Sequence, residues 1–264
     1  MESLTLELEP PIATGATADI HDWRSGQVLK LYRDFVPRAS AVREARITRA
    51  LHDAGVRVPA VGELLEVNGR LGLPMEKLSG PTLASRMVDA AAGTRAGETA
   101  AGIHAAMHAR TADNLQTMRV QFRWVIERGP LSTGQKDRVL RAMKALPDGD
   151  RICHGDFHAG NIVMTDAGPV VIDCVVAHRG NPLADVAQMR VAMTEWLYIG
   201  LPEAGRRAVE RFIDSYEKRY FELLPGGRDE VAAWMPVVAA VRISLGHAPS
   251  SEEPLQGIID AGLK

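Results

Sequence analysis

Through the first 80 residues apolar and polar positions mostly alternate, and beyond them apolar positions recur at helical spacing. Leu4-Thr5-Leu6-Glu7-Leu8 alternates as a half-buried strand does. Between Ile12 and Trp23 a small-residue turn, Gly15-Ala16-Thr17, separates two strand candidates, and Arg24-Ser25-Gly26 leads tightly into a third, Gln27 to Tyr32. From Arg38 to Ala54 the period changes: Val42, Ala45, Ile47 and Leu51 share a helical face, and Gly55 is the stop. Two further strands, 61–67 and 71–75, flank Asn68-Gly69, a dipeptide suited to a tight hairpin. Residues 76–81 break the pattern as a short linker.

Helices are expected over 83–92, 98–110, 115–127 and 133–146, with 90–97 weaker and a candidate loop. A small β element returns at 151–153, 162–165 and 170–174, with Asp166-Ala167-Gly168 as a turn. Helical spacing resumes over 183–197, 203–223 and 230–245, while the tail after His247 has no clear period. The order predicts an α+β, two-lobed chain: a lobe of antiparallel strands with one helix over 1–78, then a larger, mainly helical lobe over 79–264.

With 46% apolar residues the chain can bury a full core. A net charge of −2 and a pI near 6.5 give no general attraction to nucleic acid or an anionic membrane. No apolar run approaches a membrane span, and Met1-Glu2-Ser3-Leu4 lacks the start of a signal peptide, so a cytoplasmic location is expected. Cys153 and Cys174 form neither a disulfide framework nor a zinc spacing; each sits in an apolar run and reads as a small core residue.

The chemistry concentrates in His154-Gly155-Asp156-Phe157-His158-Ala159-Gly160-Asn161 and the later Ile172-Asp173. Phosphoryl transfer needs one carboxylate to orient the acceptor hydroxyl and oxygen ligands that hold Mg2+ on the nucleotide phosphates. Asp156 suits the first role, Asn161 and Asp173 the second. His158 either touches the transferring group or stacks within its loop. The same chemistry needs a phosphate-binding lysine and an acid to hold it. Before residue 136 the only lysines are Lys30 and Lys77, and the helix that follows Lys30 contains one glutamate, Glu44. The turn at Gly15 and Thr17 precedes Lys30 where a phosphate-covering loop would lie, although a plain hairpin turn has the same composition. His104 and His108 are four apart but lack the acid of a zinc-protease helix, and they read as core histidines. Asp185 reads as a brace for a helix beside the site.

Together His154–Asn161, Val171-Ile172-Asp173 and Gly180-Asn181-Pro182-Leu183-Ala184-Asp185 resemble the aminoglycoside phosphotransferase/choline kinase family, small-molecule relatives of the protein kinases. The resemblance implies a protein-kinase-like fold, ATP or GTP as co-substrate, and Mg2+ on Asn161 and Asp173. It also implies an adenine-binding hinge at Met75-Glu76-Lys77-Leu78, with Glu76 and Leu78 as nucleotide contacts. Two departures stand out: Cys174 follows the metal Asp where many members have Trp, and the phosphate-covering loop is poor in glycine.

The expected function is an O-phosphotransferase acting on a hydroxyl of a small molecule, with an antibiotic, and hence resistance, among the candidates. The alternatives are a metabolic kinase of choline, a sugar or an amino alcohol, and a silent nucleotide-binding pseudokinase. From Val176 onward 12 acidic residues face 10 basic ones, no strong acidic bias, which weakens a polycationic aminoglycoside as the acceptor. Trp196, Tyr198, Trp234 and Met235 either line an acceptor pocket or pack helices together. A protein kinase is disfavoured, because no activation segment ending in Ala-Pro-Glu is present.

Overall fold

The computed structural model describes residues 3–198, 200–246 and 252–263; His247 to Ser251 and the Tyr198 side chain lie outside the described residues. The chain forms two compact units. One holds the described residues up to Gly80 together with Val163–Val175, the other Pro81–Ile162 and the residues from Val176 onward. No described helix is long and apolar enough to cross a membrane.

The first unit is built on a six-stranded sheet: β1 (Ser3–Leu4), β2 (Ala13–Thr14), β3 (Ala18–Asp22), β4 (Gln27–Tyr32), β5 (Leu65–Val67) and β6 (Arg70–Glu76). Its spatial order is β1-β5-β6-β4-β3-β2, antiparallel except where β1 runs parallel to β5. The β5–β6 hairpin turns at Asn68 and Gly69, with φ of 51° and 79°, the left-handed pair that an Asn-Gly turn supplies. The strand expected over Leu4 to Leu8 stops at Leu4, because the Asn68 side chain bonds both the N–H (3.0 Å) and the carbonyl (2.8 Å) of Leu6. The strand expected from Val61 begins only at Leu65; Val61 keeps a single bridge to Met75, beside Pro74, which has no N–H for a ladder.

Helix α1 (Arg38–Asp53) packs on the sheet through Ala41 and Ala45, which join Ala18, Tyr32 and Leu73, while Leu29, Leu31, Leu65 and Val67 form a second cluster. Val42, expected on the buried face, is 45% exposed. The buried stripe runs through Ala41, Glu44, Ala45, Thr48 and Leu51, so a carboxylate takes a core position and rotates Val42 outward. A hairpin of β8 (Ile162–Thr165) and β9 (Gly168–Val171) follows later in the chain, and the Val171 N–H donates to the Arg57 carbonyl at 2.9 Å.

In the second unit α2 (Ala90–His108) is one unbroken helix, with Asp89 as its N-cap accepting from the Ala92 N–H at 2.7 Å. The helix expected over 83–92 is only a 3-10 turn at Ala84–Arg86, and the candidate loop at 90–97 is helical. Its glycines explain the weak pattern. A Cβ at Gly93 would overlap the Ala208 carbonyl, and one at Gly97 the Phe212 carbonyl, both on α6 (Glu203–Leu223). Small residues carry this face so that the two backbones can approach. Gly93→Ala should therefore destabilise the protein by about 1–3 kcal/mol, since the overlap outweighs the ~1 kcal/mol alanine gains in a helix. Gly102→Ala on the same helix, where the added Cβ meets nothing within 4 Å, should instead stabilise by up to ~1 kcal/mol. Urea denaturation of the two variants checks both signs.

The unit continues through α3 (Met118–Arg128), α4 (Thr133–Ala145), β7 (Arg151–Cys153), β10 (His178–Gly180), α5 (Pro182–Glu195), α6, α7 (Arg228–Ser244) and α8 (Glu252–Gly262). β7 pairs antiparallel with β10. Asn181 caps α5, its Oδ1 accepting from the Leu183 N–H at 2.8 Å, ahead of Pro182 in the first turn.

Candidate active site

In the first unit the two residues singled out on α1 and β4 meet. Lys30 Nζ lies 2.5 Å from Glu44 Oε1, and the Tyr32 hydroxyl donates to Glu44 Oε2 at 2.8 Å. Burial, and then the Glu44 charge, push the Tyr32 pKa far up, so its hydroxyl keeps its proton and holds the carboxylate. Lys77 is paired elsewhere, with Asp22. The Gly15 N–H bonds the Ala18 carbonyl at 2.9 Å, and the Gly15 carbonyl receives Arg33 Nε and Nη2 at 3.2 and 3.0 Å. Thr17 is exposed on this turn, and its carbonyl takes the Arg33 N–H at 2.9 Å.

At the end of β6 the Glu76 carboxylate receives both Arg57 Nη atoms, at 2.9 and 2.7 Å, and the Ala60 N–H at 3.2 Å. The Arg57 bonds lower the Glu76 pKa. This side chain is a clamp, so any nucleotide contact at Glu76 falls to its backbone. Leu78 is half-buried just beyond. Asp173 lies two residues past the end of β9, exposed, with φ of 60°. An aspartate tolerates the left-handed region better than most residues do.

The loop 154–161 belongs to the second unit and is tied down along its length. The His154 and Gly155 N–H groups donate to Asp185 Oδ2 and Oδ1 at 2.5 and 2.9 Å. The Asp156 N–H reaches His154 Nδ1 at 3.2 Å, and Gln188 Nε2 holds the Gly155 carbonyl at 2.8 Å. Asn161 Nδ2 donates to the Asp156 carbonyl at 3.0 Å, which turns its own oxygen the other way. His158 Nδ1 accepts the Gly160 N–H at 3.0 Å, so its proton sits on Nε2, 3.8 Å from Asp156 Oδ2. Gly155, at φ of 82°, sits where a Cβ would meet the Val176 carbonyl.

Asp185 braces this loop as well as its helix, and it does so over the two core histidines. His104 Nε2 and His108 Nε2 lie 2.9 and 3.2 Å from Asp185 Oδ2, while Tyr216 and Tyr220 place their hydroxyls on the opposite ring nitrogens at 2.5 and 2.7 Å. Burial lowers the His104 pKa to about 3, leaving a neutral ring whose Nε2–H faces the carboxylate. Burial alone would raise the Asp185 pKa; the histidine interactions outweigh it and hold the group ionised. These three side chains have metal-ligand types and spacing. Every ring nitrogen is already matched with Asp185 or a tyrosine, however, which leaves no lone pair for an ion.

One residue beside the candidate site had no signal in the sequence. Arg242, on the last turn of α7, places Nη1 2.6 Å from Asp156 Oδ1 and sends Nε and Nη2 to Glu195 Oε2 at 3.0 and 2.5 Å. Burial pushes the Asp156 pKa upward, but the Arg242 charge, followed by His158 and His154, outweighs it and keeps the carboxyl below its ordinary value. Among the aromatic candidates, Trp196 packs its edge against His158 at 5.5 Å. Trp234 is 1% exposed and packs helices together, and Met235 is half-buried.

Residues 12–234 match the model of the phosphotransferase enzyme family. Among curated protein sequences none matches the chain. Solved structures share its fold at low identity. Amicoumacin kinase hAmiN in complex with AMP-PNP, Ca2+ and Ami is 14% identical, covering 94% of this chain and 86% of that one, with a TM-score of 0.64. An aminoglycoside phosphotransferase, APH(4)-Ia, with ADP and hygromycin B is 17% identical over 97% and 93% of the two chains, with a TM-score of 0.64. A choline/ethanolamine kinase family protein from Mesorhizobium loti is 18% identical over 97% and 85%, with a TM-score of 0.58. These likenesses establish the expected α+β, two-lobed protein-kinase-like fold.

Proposed function

The chain belongs to the phosphotransferase enzyme family, and from that premise we propose that it transfers the γ-phosphoryl group of ATP or GTP to a hydroxyl of a small molecule. The observation that carries the reading is the loop 154–161. Its backbone is held by Asp185, Gln188, Asn161 and His154 while the Asp156 carboxylate stays ionised and 22% exposed. A fixed carboxylate on a fixed loop is what orienting a hydroxyl for in-line attack requires. In a loose transition state Asp156 positions the hydroxyl and takes its proton late, and His158 Nε2 lies beside that exchange, 3.8 Å from Asp156 Oδ2.

Lys30, held by Glu44 and Tyr32, is assigned to the nucleotide phosphates, with the Thr17 hydroxyl and the Ala16 and Thr17 amides, beside the Gly15 turn, as further contacts. The backbone of Glu76 and Leu78 is assigned to the base. Asn161 and Asp173 offer hard oxygen ligands, the donor type that Mg2+ takes. Bound there, Mg2+ would supply charge neutralisation on the phosphates.

For the acceptor, an antibiotic and a metabolic alcohol such as choline or a sugar remain the two classes. The Arg242 guanidinium beside Asp156 and the near-balanced charge after Val176 favour an acceptor that is not polycationic. Incubation with ATP or GTP and a pooled antibiotic and metabolite library, read by mass spectrometry, should reveal a compound gaining one phosphoryl group. Thermal stabilisation by nucleotide and Mg2+ with no phosphorylated product would support the pseudokinase reading instead. Drug-susceptibility tests in an expressing host separate resistance from metabolism.

A further inference from the structure

We infer that Arg242 is a positioning residue for phosphoryl transfer: anchored on Glu195, its guanidinium holds Oδ1 of Asp156 and so aims Oδ2 at the acceptor hydroxyl. The inference rests on the reading of Asp156 as the residue that orients the acceptor.

The loop bonds described above fix the backbone of Asp156 but not its side chain, whose terminal torsion is broad and roughly two-fold. Among the described residues, the one hydrogen bond to its carboxylate comes from Arg242 Nη1, at 2.6 Å on Oδ1. The guanidinium cannot itself turn, because Nε and Nη2 both hold Glu195 Oε2. The Arg242 and Glu195 side chains are 13% and 6% exposed, so the pair is shielded from water and its geometry is stiff. The chain of restraint therefore runs from α5 through Glu195 and Arg242 to one oxygen of Asp156. The other oxygen, Oδ2, faces His158 Nε2 at 3.8 Å, too far for a hydrogen bond between them. A hydroxyl seated there can donate to Oδ2 and accept from the histidine. A lysine at 242 would keep the charge but offer no planar fork to span both carboxylates.

Crystal structures of the wild type and Arg242→Gln should show the Asp156 side chain leaving its present rotamer once Arg242 is gone. Because Arg242→Gln takes the guanidinium from a buried carboxylate at Glu195 and can cost folding, Glu195→Gln/Arg242→Gln removes both members of the pair and gives the same readout. With the acceptor found in the library screen, Arg242→Gln should lower kcat roughly 100-fold, the scale of a misplacement of about 1 Å, and leave KM within about threefold. Arg242→Lys should recover part of kcat. An unchanged Asp156 rotamer in both variants, or a loss confined to KM, overturns the inference; the latter would make Arg242 an acceptor-binding group. If the wild type phosphorylates nothing in the library, the functional reading fails, while the Asp156 rotamer still decides this one.

Discussion

Asp156→Asn should lower kcat roughly 10²–10⁴-fold while leaving nucleotide-dependent thermal stabilisation in place. The amide keeps the size of the carboxylate, and its oxygen can still take the Arg242 bond at the Oδ1 position. What it loses is the charge that, in the proposed mechanism, draws the acceptor proton. Arg242 remains paired with Glu195, so little stability should be lost with it. A kcat within a few-fold of wild type, measured on the phosphorylated acceptor, would remove Asp156 from the chemistry. The wild-type pH profile follows from the same geometry. Burial acts to raise the Asp156 pKa and the Arg242 charge overrides it, so the group stays ionised below the ordinary carboxylate value of about 3.9. Any loss of rate nearer neutrality must then come from another group.

Asp185→Ala should be the most damaging change to stability. Four buried donors converge on this carboxylate: the His154 and Gly155 N–H groups and the Nε2–H groups of His104 and His108. A buried donor left without a partner costs about 1–3 kcal/mol, so the set approaches the ~5–15 kcal/mol that holds a whole domain together. The expected result is a protein that is insoluble or melts far below wild type; a Tm within a few degrees would refute the account. The wild type should also weaken in acid. His104 is neutral when folded, with its pKa lowered to about 3, but binds a proton near pH 6.5 when unfolded. Its contribution is complete above pH 6.5 and is lost as pH falls toward 3, because the unfolded chain then binds the extra proton. The urea midpoint should decline across that window.

Much of the architecture was legible because its signals are local. Asn68-Gly69 can sit at positive φ, so the hairpin shows in two letters. Gly55, at φ of 78°, marks the end of α1 by the same logic. The strand expected at 61–67 and the loop expected at 90–97 misread because their backbones answer to distant partners. Pro74 interrupts the first ladder, and the α6 backbone at Ala208 and Phe212 demands glycine in the second. Val42 misled because its helix turns a carboxylate, Glu44, to the inside. Trp234 sits among the candidate pocket residues in sequence but is sealed in the core.

The sequence by itself pointed to the phosphotransferase class, which the family match bears out: the Asp156, Asn161 and Asp173 spacing and the forced choice of Lys30 and Glu44 are matters of residue type and order. Only the tertiary structure decided what steadies those groups. Arg242 lies 86 residues from Asp156, and His104 lies 81 from Asp185, separations at which one-dimensional patterns carry no signal. Such pairs exist because a buried charge must find its counter-charge or donors wherever the fold can bring them. That requirement is met by packing, and packing is written in three dimensions.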